Sequence, residues 1–372
     1  MRIAVSGMVA GDPHQGGASW AVLQYVLGLR RLGHEVLLVE PVAAESLKRS
    51  ESASYLEKVA ARFGLELATL VDPEGNSAPM PTERLRELMA GTEVLLNVSG
   101  MLTVPELLEP VATRAYLDLD PFFNQHWHLQ GADMRFAAHT HFVTVAAGLD
   151  DAENEVPTLG LDWIETLPPV VLQEWEPAPE PPSLPFTTIG HWRSYGPIEH
   201  EGERYGLRAH SLRELIELPR RTRAEFLLAL GIHESERDDL EALAANGWRL
   251  ADPAEVAATP DRYREFVRAS QAEIGIAKEG YVRSRSGWFS DRSACYLACG
   301  RPVVAQDTGF GRALPVGEGL LAFDTVEEAA AATEEVLANP REHARAAREI
   351  AEEILDSDRV LSRLLERLGG SG

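Results

Sequence analysis

The chain has 372 residues, 45% hydrophobic and 25% charged, too long for one comfortable core and with enough apolar material for two. A formal net charge of −23 argues against a nucleic-acid partner, which needs a basic stripe, and against stable membrane association, as no run reaches spanning length. The expected partners are therefore small soluble molecules, and the opening MRIAVSGM, which lacks a charged leader and cleavage site, points to the cytoplasm.

In chain order, residues 2–8 form an apolar, β-branched run suited to a central parallel strand. A glycine-rich loop, GDPHQGGAS, covers 11–19. A helix is predicted over 20–32, a stop at Gly33 and a second strand over 35–39. This β–loop–α–β unit winds into a parallel sheet. Further strands are predicted at 93–98, 115–119 and 142–146, with a helix at 82–90.

The texture changes in LPPVVLQEWEPAPEPPSLPF, which carries seven prolines and reads as a connector. Alternation then resumes, with strands at 186–190, 224–229, 247–250, 273–277 and 302–306. Helices are predicted at 211–217, 235–245, 261–270 and 327–337, and a long two-faced one runs from 341 to 368. The division is an N-terminal Rossmann-like domain (1–173), a linker (174–185), a C-terminal Rossmann-like domain (186–345) and a terminal helix (346–372) packing back on the first domain. A ligand belongs at strand C-terminal ends, in the cleft between the halves.

Cys295 and Cys299 stand four apart in one apolar helix, awkward for a disulfide and without further ligands for a metal, so they read as small core side chains. No metal site and no cofactor are expected. More informative is SGWFSDRSACYLACGRPVVAQDTG, residues 286–309, where an arginine stands at the start of an apolar helix although the helix dipole disfavours it there. Free N–H groups at that start, with Ser290, Arg292 and Ser293, read as an anion site, and Lys278, Arg283 and Arg285 add positive charge. The plainer alternative is that Ser290 or Asp291 caps the helix and the arginines are solvated.

The run CYLACGRPVVAQDTG resembles the segment that closes the donor domain of GT-B glycosyltransferases, and the Gly16-Gly17 loop followed by LRRLGHEVLLVEP resembles the start of that fold. The resemblance implies an α/β architecture of two doubly wound Rossmann-like domains facing each other across a cleft, with a long C-terminal helix. It implies transfer of a sugar from a nucleotide-diphosphate sugar to a small acceptor. Gly16 and Gly17 would let the donor approach the backbone. His191 and Arg193, in GHWRSYG, would meet the donor phosphates with the cluster from Lys278 to Ser293, and Arg208 would add to them.

The chain departs from the family's pattern in places. Cys295 stands where many members have a ribose-binding glutamate, a role left either unfilled or moved to Asp291. Gly287 stands where retaining members have a second glutamate after Glu279. For an acceptor base the candidates are His14 and Asp12, in the loop after the first strand, and Asp118 or Asp120 in YLDLDPFFNQHWH. Phe122, Trp127 and His141 are the candidate acceptor contacts; the neighbouring histidines lack the spacing of a zinc motif. The alternatives to a transferase are a nucleotide-sugar epimerase of the same fold and a non-catalytic nucleotide-sugar-binding protein. A dinucleotide oxidoreductase fits poorly, since Gly7, Gly11, Gly16 and Gly17 do not make a compact GxGxxG.

Overall fold

A computed structural model describes residues 1–47, 50–178 and 180–369; residue 179 of the expected linker and 370–372 of the expected terminal helix lie outside them. Two sheets form the frame. The first contains β1 (Arg2–Ser6), β2 (Glu35–Pro41), β3 (Ala68–Val71), β4 (Ser77–Ala78), β5 (Val94–Val98), β6 (Thr113–Asp118), β7 (His141–Thr144) and β8 (Trp163–Glu165), in the spatial order β4-β3-β2-β1-β5-β6-β7-β8. Only the β3–β4 pair is antiparallel. The strands are apolar on both faces, as parallel strands covered by helices must be: Ile3, Ala4, Val5, Leu95 and Leu96 are all fully buried.

β9 (Leu184–His191) begins the second half, followed by a hairpin of β10 (Ile198–His200) and β11 (Glu203–Tyr205). β12 (Phe226–Gly231), β13 (Arg249–Leu250), β14 (Ser270–Gly275), β15 (Val303–Gln306) and β16 (Leu320–Phe323) complete an all-parallel sheet ordered β13-β12-β9-β14-β15-β16. Strand order reverses beside β1 in one sheet and beside β9 in the other, and these switch points open the crevices where ligands bind open α/β sheets.

Local corrections have identifiable causes. The first helix spans Gly16–Arg31, so the glycine pair lies in its first turn rather than in a loop. The helix predicted over 341–368 is three segments: Pro340–Ile350, a π-helical turn at Ala351–Leu355, and Ser357–Arg367. It breaks because Asp356 is non-helical, its side chain capping the last segment through the Asp358 N–H, while Val170 pairs with Leu355 and Ser357 on either side. That last segment lies on the first helix at Gly28, where an added Cβ would stand 2.5 Å from Leu361 Cδ1. Among the described residues no helix is long and apolar enough to cross a membrane.

Candidate functional site

The site begins with a buried carboxylate. Asp118 ends β6 and is fully buried; it accepts hydrogen bonds from the Asp120 N–H (3.0 Å), Asn124 Nδ2 (2.6 Å), Gln125 Nε2 (2.7 Å) and Thr144 Oγ1 (3.1 Å). Burial pushes its pKa up to about 6 against these donors. With both oxygens engaged, Asp118 is no acceptor base. It fixes the turn 118–124, which holds Phe122 at a left-handed φ of 75° and carries Asp120 across to the second half.

There Asp120 meets Lys278, just beyond β14. The ammonium Nζ lies 3.0 and 2.9 Å from the two carboxylate oxygens. Tyr195 OH donates to Asp120 Oδ2 at 2.6 Å, and Tyr281 OH donates to Oδ1. The rings of Tyr195, Phe123 and Tyr281 surround Nζ, with centroids at 4.3, 5.1 and 5.1 Å. Burial pulls the Lys278 pKa down, opposed by Asp120. Phe123 in turn packs under Gly280, where a Cβ would lie 2.6 Å from its Cζ.

Beside this cage a cavity of about 100 Å³ is lined by Gly190, His191, Trp192, Ser194, Leu207, Arg208 and Lys278. Arg208 is its main charge. The side chain is buried, Nε donates to Ile276 O at 2.9 Å and Nη1 to His191 O at 3.0 Å. Among the described residues no carboxylate lies within ion-pair distance. Burial first, then the neighbouring Arg292, pulls its pKa down to about 9. Gly190 is required here, since a Cβ would stand 2.0 Å from Arg208 Nη1. Desolvation, then Arg208, hold His191 below the usual histidine range, while Asp12 of the β1 loop opposes them from across the cleft.

Other expected donor contacts are directed elsewhere. The negative group at the helix start is Glu273 of β14: Arg292 Nε binds its Oε1, Nη1 donates to Ile189 O at 3.0 Å, and both side chains are buried. Burial opposes the arginine's charge, but Glu273, together with Tyr263 and Tyr296, offsets it and holds the pKa above the ordinary value. Ser290 caps the helix Asp291–Ala298 through the Arg292 N–H, and Ser293 faces a cavity of about 10 Å³, room for no more than a water. Asp291 faces a separate cavity of about 20 Å³ with Tyr25 and Gln24, and desolvation raises its pKa. Arg283 pairs outside with Glu203 at 2.6 Å, Arg193 with Glu236 at 2.6 Å and Arg285 with Asp307 at 3.0 Å.

The first-half candidates are also redistributed. Gly16 and Gly17 admit protein, not ligand: the Gly16 N–H donates to Ala257 O at 2.8 Å, and a Cβ would stand 2.4 Å from Thr259 O at Gly16 and 3.0 Å from Tyr263 at Gly17. His14, at φ 68°, turns away to Glu51, with Nε2 2.7 Å from Oε1. Phe122 is buried against Phe123, His126 and Tyr205 in the apolar seam between the halves, and Trp127 packs edge-on to Tyr195 at 4.6 Å. His141 starts β7, at the strand end opposite the cleft, and bonds Thr140. Sequence reading missed Tyr195 and Tyr281. The spacing of Lys278 and Tyr281 within one helical turn was the available signal.

Residues 220–366 match a family described as "Glycosyl transferase-like". No curated sequence matches. The chain superposes along 99% of its length on an alpha-glucosyltransferase in complex with UDP (TM-score 0.63, 13% identity, 100% of that chain). It does so equally on Anabaena HepE with UDP and glucose (0.63, 11%, 99% of that chain) and on sucrose-phosphate synthase from Thermosynechococcus elongatus (0.58, 14%, 99%).

The fold is GT-B. Both halves of the GT-B frame are present, and the Arg208 cavity lies in the second one, beside the Lys278–Asp120 contact that joins the two. One expectation falls at this point. Three further similar structures are alpha-glucosyltransferase bound to DNA, so the acidic total does not exclude nucleic acid as a partner of a GT-B chain. Net charge sums the whole surface, whereas recognition depends on the cations lining one cleft.

Proposed function

We propose that this chain is a glycosyltransferase that takes its sugar from a nucleotide-diphosphate donor, with the diphosphate held by Arg208 and Lys278 and the His191 loop beside it. The supporting observation is Arg208: a buried guanidinium without a carboxylate partner among the described residues, its fork fixed by two backbone carbonyls, facing a cavity that also receives Lys278. A buried unpaired cation is costly unless an anion completes it. A diphosphate does so bidentately, and the same cations stabilise the charge that develops as the bond from sugar C1 to the phosphate oxygen breaks. The family match over residues 220–366 and the UDP held by similar structures agree with this reading.

Calorimetric titration with UDP and UDP-glucose tests it. UDP is expected to bind the wild type and to bind Arg208→Met about 50-fold more weakly, the loss of a charge-assisted hydrogen-bond pair. Equal UDP affinity in the two proteins, each with an intact melting transition, overturns the assignment.

A further inference from the structure

Resting on the diphosphate reading, we infer that Asp120 is a latch on the donor site: in the empty protein its carboxylate occupies Lys278, and the incoming diphosphate must displace it. Two cations line the cavity and they are treated oppositely. Arg208, held entirely by the second half, has no carboxylate partner among the described residues. Lys278 is gripped by a carboxylate that arrives from the first half, 158 residues earlier in the chain.

The grip is built rather than incidental. Asp118 fixes the turn that presents Asp120, and both phenols, Tyr195 and Tyr281, donate to its oxygens. The side chains of Lys278 and Asp120 are only 16% and 22% exposed, so the pair is poorly screened by solvent. Lys278 Nζ in turn donates to both phenol oxygens, so carboxylate, ammonium and phenols form one network.

A diphosphate and Asp120 cannot both rest on one ammonium. Like charges brought together at a partly buried site repel strongly, and the doubly charged anion, which also engages Arg208, outcompetes the single carboxylate. Donor binding thereby breaks a bond between the two halves and frees Asp120 on the acceptor side of the cleft. In the empty protein Lys278 masks the Asp120 charge while Arg208 stays without a carboxylate partner among the described residues, and Asp120 is unmasked only after the donor has arrived. Part of the donor's affinity is spent on breaking the latch.

Titration with UDP across the wild type and five variants tests this. Asp120→Asn keeps the shape of the side chain and removes its charge, and is expected to bind UDP about tenfold more tightly than the wild type. Tyr281→Phe weakens the hold on Asp120 without changing any charge and is expected to tighten binding about threefold, which keeps the test available if Asp120→Asn does not fold. Lys278→Met is expected to bind UDP weakly, and adding Asp120→Asn to it should bring no gain, because the latch then has nothing to hold. Unchanged or weaker UDP binding by both Asp120→Asn and Tyr281→Phe overturns the latch, as does a gain that persists without Lys278. If Lys278→Met and Arg208→Met both bind UDP like the wild type, the diphosphate reading has failed instead, so the two failures are separable.

Discussion

Arg292 and Glu273 neutralise each other inside the second half, with Arg292 Nε 2.5 Å from Glu273 Oε1 and the side chains 8% and 0% exposed. The pair joins the start of the helix Asp291–Ala298 to β14, and Arg292 Nη1 ties both to β9 through Ile189 O. A positive charge at a helix start is unfavourable by itself; here a strand carboxylate beneath it reverses the balance.

Arg292→Met should therefore act on stability rather than on donor affinity. It leaves the Glu273 carboxylate buried and unpaired, at a cost of about 3–5 kcal/mol. Urea denaturation should show that loss, while the double variant Arg292→Met, Glu273→Leu recovers most of it. A single variant as stable as the wild type but with impaired UDP binding would return Arg292 to the donor site.

Gly190 offers a test of Arg208 that leaves the arginine in place. A Cβ at residue 190 would stand 2.0 Å from Arg208 Nη1 and 2.9 Å from Cζ, so Gly190→Ala must push the guanidinium off its carbonyl anchors. UDP affinity is expected to fall at least tenfold, approaching that of Arg208→Met, and the combined variant should be no worse than Arg208→Met alone. Additive losses would mean that the two residues act separately.

The parts of this protein legible in its sequence are those governed by near neighbours. The apolar β-branched run at 2–8 had to be a buried parallel strand, whereas the proline-dense stretch near 167–186, read as outside any helix or central strand, ends inside one, since Leu184, Pro185 and Phe186 open the central strand β9. The glycine pair at 16–17 signalled close approach correctly, but not to what: the approaching groups are the Ala257 and Thr259 carbonyls, some 240 residues away. The same limit explains the misread arginine. Nothing near residue 292 reveals that Glu273 points up beneath it, so the charge looked unanswered. Asp120 and Lys278 were each marked as candidates, in different roles, because only the folded chain brings them together. The break at 351–356 was readable in principle, since Asp356-Ser357-Asp358 is a helix-start signature that the two-faced pattern around it concealed.

His14 is expected to be dispensable. Its ring is 47% exposed and paired with a Glu51 that is 72% exposed, an arrangement worth about 1 kcal/mol or less. Its backbone is left-handed at φ 68°, so asparagine is the informative replacement because it tolerates that conformation. His14→Asn should change UDP affinity and glycosyl transfer by no more than about twofold. A loss of turnover beyond tenfold with UDP affinity kept would place the acceptor base at residue 14 after all.

The loop after β1 hangs on one carboxylate, and this gives it a pH signature. Glu40, fully buried at the end of β2, accepts hydrogen bonds from the Val9 N–H (2.9 Å), the Ala10 N–H (2.7 Å) and the Gly11 N–H. Burial dominates these donors and lifts its pKa from 4.5 to about 7. Because the folded value is the higher one, the folded state binds the extra proton between those limits. The contribution to stability is therefore complete below about pH 4.5, declines as pH rises through 7 and is gone above it, a change on the order of 3 kcal/mol. Glu40→Gln keeps an oxygen for the backbone donors and removes the titration. Its melting temperature minus that of the wild type should rise between pH 5 and pH 8 and level off beyond. A difference that stays flat across that window would show that the Glu40 carboxyl does not change protonation there.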